Sequence, residues 1–205
     1  MLDERVRAVL PRTVSHLVRL LVRAGVTPNA ISFGACVVAV AAAGLVASAH
    51  PLAGVIVWLS SRLADGLDGI VARETGSVSA FGGYLDITLD MAAYSAMVVG
   101  FAIANPDLGV VWSAILAGYV LAITTTLALS GAATTAGRRA SETNRTFQFT
   151  TSLAEAGETS IMYALWVVLP QWLVWLAWAW FCIVMLTVVQ RTWLAQRLLR
   201  ENPGP

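Results

Sequence analysis

The chain has 205 residues, of which 58% are hydrophobic and only 12% charged, with 13 basic side chains against 12 acidic and a net charge of +1. Mean hydropathy is +0.72, and the charged share is about half the roughly one quarter usual in soluble domains. These values exclude a disordered chain, a nucleic-acid binder led by a basic patch, and most soluble folds, because one soluble core of this size cannot hide so much apolar surface. A polytopic membrane protein remains, with residues 1–205 as a single domain.

Residues 1–25 read as an amphipathic helix. Arg12, His16, Arg19 and Arg23 recur at helical spacing, Arg5 lies seven residues before Arg12, and Val6, Val9, Leu10, Leu17, Leu20 and Leu21 mostly fill the opposite side. Such a helix lies in the membrane interface with its guanidinium groups toward anionic headgroups. Gly25 stops it, and Thr27-Pro28-Asn29 turns the chain into the membrane. No cleavable signal peptide is expected. Six apolar runs follow within residues 26–190: Asn29–Ala49, Leu52–Ala72, Gly82–Ala104, Leu108–Thr134, Thr151–Leu169 and Trp172–Val189. Each is close to the roughly 20 residues that span a bilayer. Three of the turns between them carry Pro and no Arg, at His50-Pro51, Asn105-Pro106-Asp107 and Pro170-Gln171. All 13 arginines fall on the other side, so the positive-inside rule puts both termini in the cytoplasm, with residues 191–205 as a tail. Trp172, Trp175, Trp178 and Trp180 are expected at the outer interface or in packing, and Cys36 and Cys182 as buried, unpaired thiols. The expected fold class is an all-α integral membrane protein: six transmembrane helices preceded by an interfacial helix.

Chemistry is signalled by the acids. Asp65, Asp68, Asp86 and Asp90 fall in one short window, although a carboxylate at mid-bilayer costs roughly 2.5–3.5 kcal/mol on insertion scales. Four together repel one another, and Arg62 and Arg73 are too few to balance them. A divalent cation suits such hard oxygen ligands. Asp65 and Asp68 share a helical face with Gly69 and Ala72, which leave it without bulk, and Arg73 stands at the rim. Asp86 and Asp90 share a face of the next helix, one turn after Gly82. Carboxylates, a cation, an arginine and a bare Gly/Ala surface together describe a diphosphate site and phosphoryl-transfer chemistry.

Asp65, Asp68, Gly69, Ala72, Arg73, Gly82, Asp86 and Asp90 stand in the pattern D-x2-D-G-x2-A-R-x8-G-x3-D-x3-D. With this signature the chain resembles the CDP-alcohol phosphotransferase family, and the six helices, the interfacial helix and Thr27-Pro28-Asn29 extend the likeness end to end. The resemblance implies transfer of a phosphatidyl group from a CDP-linked donor, often CDP-diacylglycerol, to an alcohol, with release of CMP in phospholipid biosynthesis. It implies Mg²⁺ or Mn²⁺, two ions, held by Asp65, Asp68 and Asp86, with Asp90 as general base sharing in the metal site. It assigns Gly69 and Arg73, with Ala72, Gly82 and Asn29, to the CDP moiety. It also implies a homodimer in the inner membrane of a bacterium, with the site facing the cytoplasm and no nucleic-acid partner.

The acceptor is less legible. Arg138, Arg139 and Arg145 are candidates for binding an acceptor phosphate, or serve topology alone. Glu155 and Glu158 are candidates for a polyol or amine acceptor, or pair with Arg145 or Arg191. Ile87-Thr88-Leu89-Asp90-Met91 lacks the Pro-Leu-Ala-Asp-Lys pattern of the glycerophosphate-transferring branch, and the Ser-Phe-Gly-rich continuation of the serine-transferring branch is also missing. Two other readings compete: a CDP-linked polar alcohol donating to a lipid alcohol, and a small cation transporter using the acids as an ion path. The second is disfavoured, because the acids gather at one end of their helices beside small residues and an arginine.

Overall fold

A computed structural model describes residues 15–135 and 156–200, so Arg5, Arg12, Arg138, Arg139, Arg145 and Glu155 lie outside the described residues. Among the described residues every regular element is helical: α1 Ser15–Arg23, α2 Pro28–Ala47, α3 Pro51–Glu74, α4 Ala80–Ala104, α5 Gly109–Thr135, α6 Ala156–Val168 and α7 Leu173–Arg200. Short 3₁₀ turns at Pro106–Leu108 and Pro170–Trp172 lead into α5 and α7. Among the described residues, four stretches are long and apolar enough to cross a membrane: Pro28–Ala47, Ala80–Ala104, Pro106–Ala132 and Pro170–Arg197. In α3 the run is interrupted by Arg62, Asp65, Asp68, Arg73 and Glu74, and α6 has 13 described residues.

Local chemistry sets the boundaries. Thr27 caps α2, its Oγ1 accepting the Ala30 N–H at 3.3 Å, and Pro28 occupies the first turn, where a missing N–H is harmless. Ser79 caps α4 the same way, accepting the Gly82 N–H at 3.0 Å. At the end of α2, Ala49 takes a left-handed φ of 63° so that the His50 N–H can reach Leu45 O at 2.9 Å. This is a Schellman turn with alanine where glycine is usual. Among the described residues, the last helix departs clearly from expectation. It continues past Val189 to Arg200, through a tail that holds no Gly or Pro before Asn202-Pro203.

Helix α2 is held between α3 and α4, and its small residues Ala35, Ala39, Ala42 and Ala43 are buried there. Close approach requires glycine on both partners. A Cβ on Gly54 would lie 2.6 Å from Val46 Cγ2, and one on Gly100 would lie 2.6 Å from the Ala43 carbonyl oxygen. Small residues allow such backbone-to-backbone packing where lipid offers no hydrophobic drive. Next to this clasp sits an aromatic core. Trp58 meets Tyr94 and Tyr163 edge-on at 5.3 Å, and Phe101 and Trp112 pack on Trp166 at 5.1 and 5.2 Å. Some of its polar tips are paired: Trp58 Nε1 donates to Ser160 Oγ at 3.1 Å, and Trp180 Nε1 to Tyr119 Oη at 2.9 Å, whereas Trp166 Nε1 is buried with no hydrogen-bond partner among the described residues. Trp180 therefore belongs to the core, 1% exposed, whereas Trp172, Trp175 and Trp178 stay at the surface. Of the two thiols expected to be buried, Cys36 is buried and Cys182 is exposed. Val18 of α1, 1% exposed, packs with Leu67, Ile70 and Val71 of α3, while His16, Arg19 and Arg23 remain exposed.

Candidate active site

The C-terminal half of α3 and the first turns of α4 run side by side because the connection between them is short and tightly folded. Gly76 takes a φ of +65°, and the Ser77 N–H closes back on Ala72 O at 2.9 Å. That left-handed residue is where glycine is required. Ser79 then starts α4, and Asp86 comes to face Asp65 and Asp68. One carboxylate oxygen from each of these three lies within 4.8 Å of the others. Asp65 and Asp68 are half-buried and Asp86 is exposed. Ser32, buried near the start of α2, donates its hydroxyl to Asp68 Oδ2 at 2.5 Å and so fixes that carboxylate. Three hard oxygen donors converging at this spacing fit a divalent ion such as Mg²⁺ or Mn²⁺.

Beside the acids opens a cavity of about 200 Å³, lined by Asn29, Gly69, Ala72, Arg73 and Gly82 together with Asp68 and Asp86. Its glycines keep it open. A Cβ on Gly69 would come 3.3 Å from Arg73 Nη1, and one on Gly82 would come 3.2 Å from Ser79 Oγ and 3.6 Å from Asn29 Oδ1. The cavity thus offers a guanidinium, an amide, hydroxyls and bare backbone next to the carboxylates. That chemistry suits a phosphorylated ligand approaching closely.

Asp90 stands apart. Its Oδ1 is paired with Arg62 Nη1 at 2.5 Å, and Arg62 also reaches Asp65 Oδ2 at 3.6 Å. Asp90 lines a second cavity of about 230 Å³, with Tyr94, Tyr119, Thr126, Thr159 and Arg191. Arg191 is oriented by α5, donating to Ala122 O at 3.1 Å and Thr126 Oγ1 at 2.6 Å. Glu158 lines neither cavity, and its buried Oε2 has no hydrogen-bond partner among the described residues.

The structure therefore gathers Asp65, Asp68 and Asp86 with the five small or polar residues expected around them, and places Asp90 apart from that group, at the second cavity. It also adds residues that spacing alone does not reveal. Ser32 reaches Asp68 from a different helix, which no local pattern announces. Arg62 does carry a signal, as a guanidinium one turn before Asp65 in an otherwise apolar stretch.

The chain is similar to known proteins in sequence and in fold. The chain is 30% identical over 207 residues to the Inner membrane protein YnjF of Escherichia coli, the match covering 98% of each. Its fold is shared with the crystal structure of Mycobacterium tuberculosis phosphatidylinositol phosphate synthase with CDP-DAG bound, at a TM-score of 0.66 and 22% identity, covering 90% of this chain and 94% of that one. The same enzyme in complex with manganese and citrate superimposes at a TM-score of 0.64 and 24% identity, covering 88% of this chain and 87% of that one. The family model for CDP-alcohol phosphatidyltransferase matches residues 25–191, and with the signature residues gathered between α3 and α4 the chain belongs to that family of transferases.

Proposed function

We propose that this protein transfers a phosphatidyl group, or another substituted phosphate, from a CDP-linked donor to an alcohol and releases CMP, with CDP-diacylglycerol as donor. The observation that carries this reading is the meeting of the Asp65, Asp68 and Asp86 carboxylates with a cavity lined by Asn29, Gly69, Ala72, Arg73 and Gly82. Carboxylates alone repel a diphosphate; here they face the phosphate-binding groups, so cations between them account for both. Mg²⁺ or Mn²⁺, as two ions, would be held by Asp65, Asp68 and Asp86 and would neutralise charge on the diphosphate. The manganese in the mycobacterial structure supports this choice.

Arg73 would pair with a donor phosphate, and Gly69 and Gly82 leave its path open. The acceptor would enter the second cavity, where Asp90 takes the proton from its hydroxyl. The hydroxyl oxygen bonds to the phosphatidyl phosphorus, the pyrophosphate P–O bond breaks, and CMP leaves. Arg191 lies in that cavity as a candidate for an acceptor phosphate. Arg138, Arg139, Arg145, Glu155 and Glu158 remain acceptor candidates from the sequence.

Six membrane spans would carry this site in the inner membrane of a bacterium, facing the cytoplasm, with α1 in the interface and two copies forming a homodimer. The exposed His16, Arg19 and Arg23, and the Arg-free turns on the far side, support that orientation.

The test is CMP release by detergent-purified protein given CDP-diacylglycerol, Mg²⁺ and a panel of glycerol, glycerol 3-phosphate, serine, inositol and inositol phosphate. Turnover with one of these is expected, and Asp90→Asn should slow it about 10²–10⁴-fold. Wild-type turnover by Asp90→Asn overturns the base assignment. Competition by a CDP-linked polar alcohol, with no use of CDP-diacylglycerol, reverses donor and acceptor.

A further inference from the structure

Along α4, Gly82, Asp86, Asp90 and Tyr94 follow one another at four-residue intervals. Each step advances about 40° round the helix. The row therefore turns from the first cavity, lined by Gly82 and Asp86, to the second, lined by Asp90 and Tyr94. Tyr94 is 6% exposed, and its hydroxyl is buried with no hydrogen-bond partner among the described residues. A buried phenol hydroxyl ordinarily has one. Arg62 lies 5.5 Å from the Tyr94 ring centroid, but a guanidinium carries only donors and cannot take the phenol proton.

The other phenols nearby are used differently. Trp180 Nε1 can only donate, and it does so to Tyr119 Oη at 2.9 Å. Tyr163 Oη donates to Tyr94 O at 3.2 Å, a carbonyl that can only accept. The 3.1 Å contact between the two phenols therefore runs from Tyr119 to Tyr163. Every proton of this chain is spent inside the fold, including that of Tyr119, which also lines the second cavity. Thr126, on the same wall, donates its proton to Ala122 O at 2.9 Å. Tyr94 instead holds a proton with no taker, and a tyrosine on a helix leans toward the N-terminus, here toward Asp90 one turn before.

We propose that the Tyr94 hydroxyl determines acceptor specificity, by donating a hydrogen bond to an acceptor oxygen next to the hydroxyl that reacts. The reacting oxygen needs its lone pair for phosphorus and passes its proton to Asp90, so a donor placed there would slow attack. A donor on the adjacent oxygen orients the acceptor without that penalty. The acceptor is then an alcohol with a second oxygen beside the reacting one, and a monohydric alcohol is disfavoured because it leaves the phenol unpaired. This inference rests on the reading of the second cavity as the acceptor's place.

The experiment uses the full chain in detergent with CDP-diacylglycerol, Mg²⁺ and the panel alcohol that turns over. It reads kcat and both KM values by CMP release, and the thermal midpoint. Tyr94→Phe should raise acceptor KM about tenfold, with kcat and donor KM within about twofold, as for a contact made equally before and during transfer. Its midpoint should be no lower than wild type, because no hydrogen bond within the protein is lost. Tyr163→Phe, which lines neither cavity, should do the reverse: a lower midpoint from the broken chain, with acceptor KM within about twofold. With an analogue of the acceptor lacking the adjacent oxygen, wild type and Tyr94→Phe should share one KM. Unchanged acceptor KM in Tyr94→Phe overturns the proposal while leaving the transfer reading intact. A fall in kcat at unchanged acceptor KM also overturns it, in favour of a contact with Asp90. A midpoint several degrees lower in Tyr94→Phe, or an equal rise of acceptor KM in Tyr163→Phe, overturns it in favour of packing in the aromatic core. Absence of CMP release by wild type with every panel alcohol removes the transfer reading and this proposal together.

Discussion

The two halves of α3 fill space in opposite ways. Up to Ser61 the inward face of the helix is filled by bulk: Trp58 has no exposed surface, and Gly54 appears only where α2 comes too close for a side chain. From Arg62 onward the helix carries its charges, and the face toward the cavity is kept bare by Gly69 and Ala72. The first half gains stability from packing at native density. The second gives stability up, since Asp65 and Asp68 sit near Asp86 with like charge. One continuous helix thus separates what holds the protein together from what forms the acidic site. Arg62 is the junction, touching Trp58 on one side and Asp90 on the other.

That contrast can be broken by substitution. The largest effect is expected in the charged half. Asp68→Asn removes a carboxylate that both Ser32 and the cation site require, and CMP release should fall on the order of 10³-fold. Its thermal midpoint in detergent should not fall, because a repelling charge has gone; a midpoint several degrees lower would show that the acids serve structure instead. The converse comes from the aromatic region. Trp112, 1% exposed, lies between Phe101 at 5.9 Å and Trp166 at 5.2 Å. Trp112→Ala should cost about 3–5 kcal/mol of stability, measured by denaturation in detergent. Donor KM of the folded fraction should be unchanged, and a large rise in KM would couple the core to the donor cavity. The smallest effect tests the backbone. Ala49 holds a φ of 63° far along the chain from the acids, so Ala49→Gly should raise stability by about 0.5–1 kcal/mol with turnover unaltered. A lower midpoint would mean that the turn gains more from the methyl group than it loses in strain.

Much of the molecule is legible in the sequence, and the reasons are physical. Apolar run length and Pro-marked turns place α2 to α5 within a few residues of their observed limits, because a bilayer demands regular hydrogen-bonded spans of set length. The last helix outruns its apolar stretch: hydropathy falls after Val189, but helix formation depends on backbone hydrogen bonds that Gln190 and Arg191 continue without difficulty. Trp180 parts from the surface tryptophans around it, since spacing along one helix does not say which side meets Tyr119.

At the site, the sequence by itself determined the cast. Four aspartates in a window where charge is costly, with Gly69, Ala72, Arg73 and Gly82 at fixed spacing, already point to a diphosphate and a divalent ion, because helical periodicity dictates which side chains share a face. Only the tertiary structure decided how the cast divides. It brought Ser32 onto Asp68, joined Asp65, Asp68 and Asp86 across two helices, and drew Asp90 away to Arg62 and a second cavity. The physical reason is that periodicity orders neighbours on one helix, whereas pairing between helices depends on their rotation and separation. Here those are set by the close approaches at Gly54 and Gly100 and by the aromatic core, which draw on several helices at once.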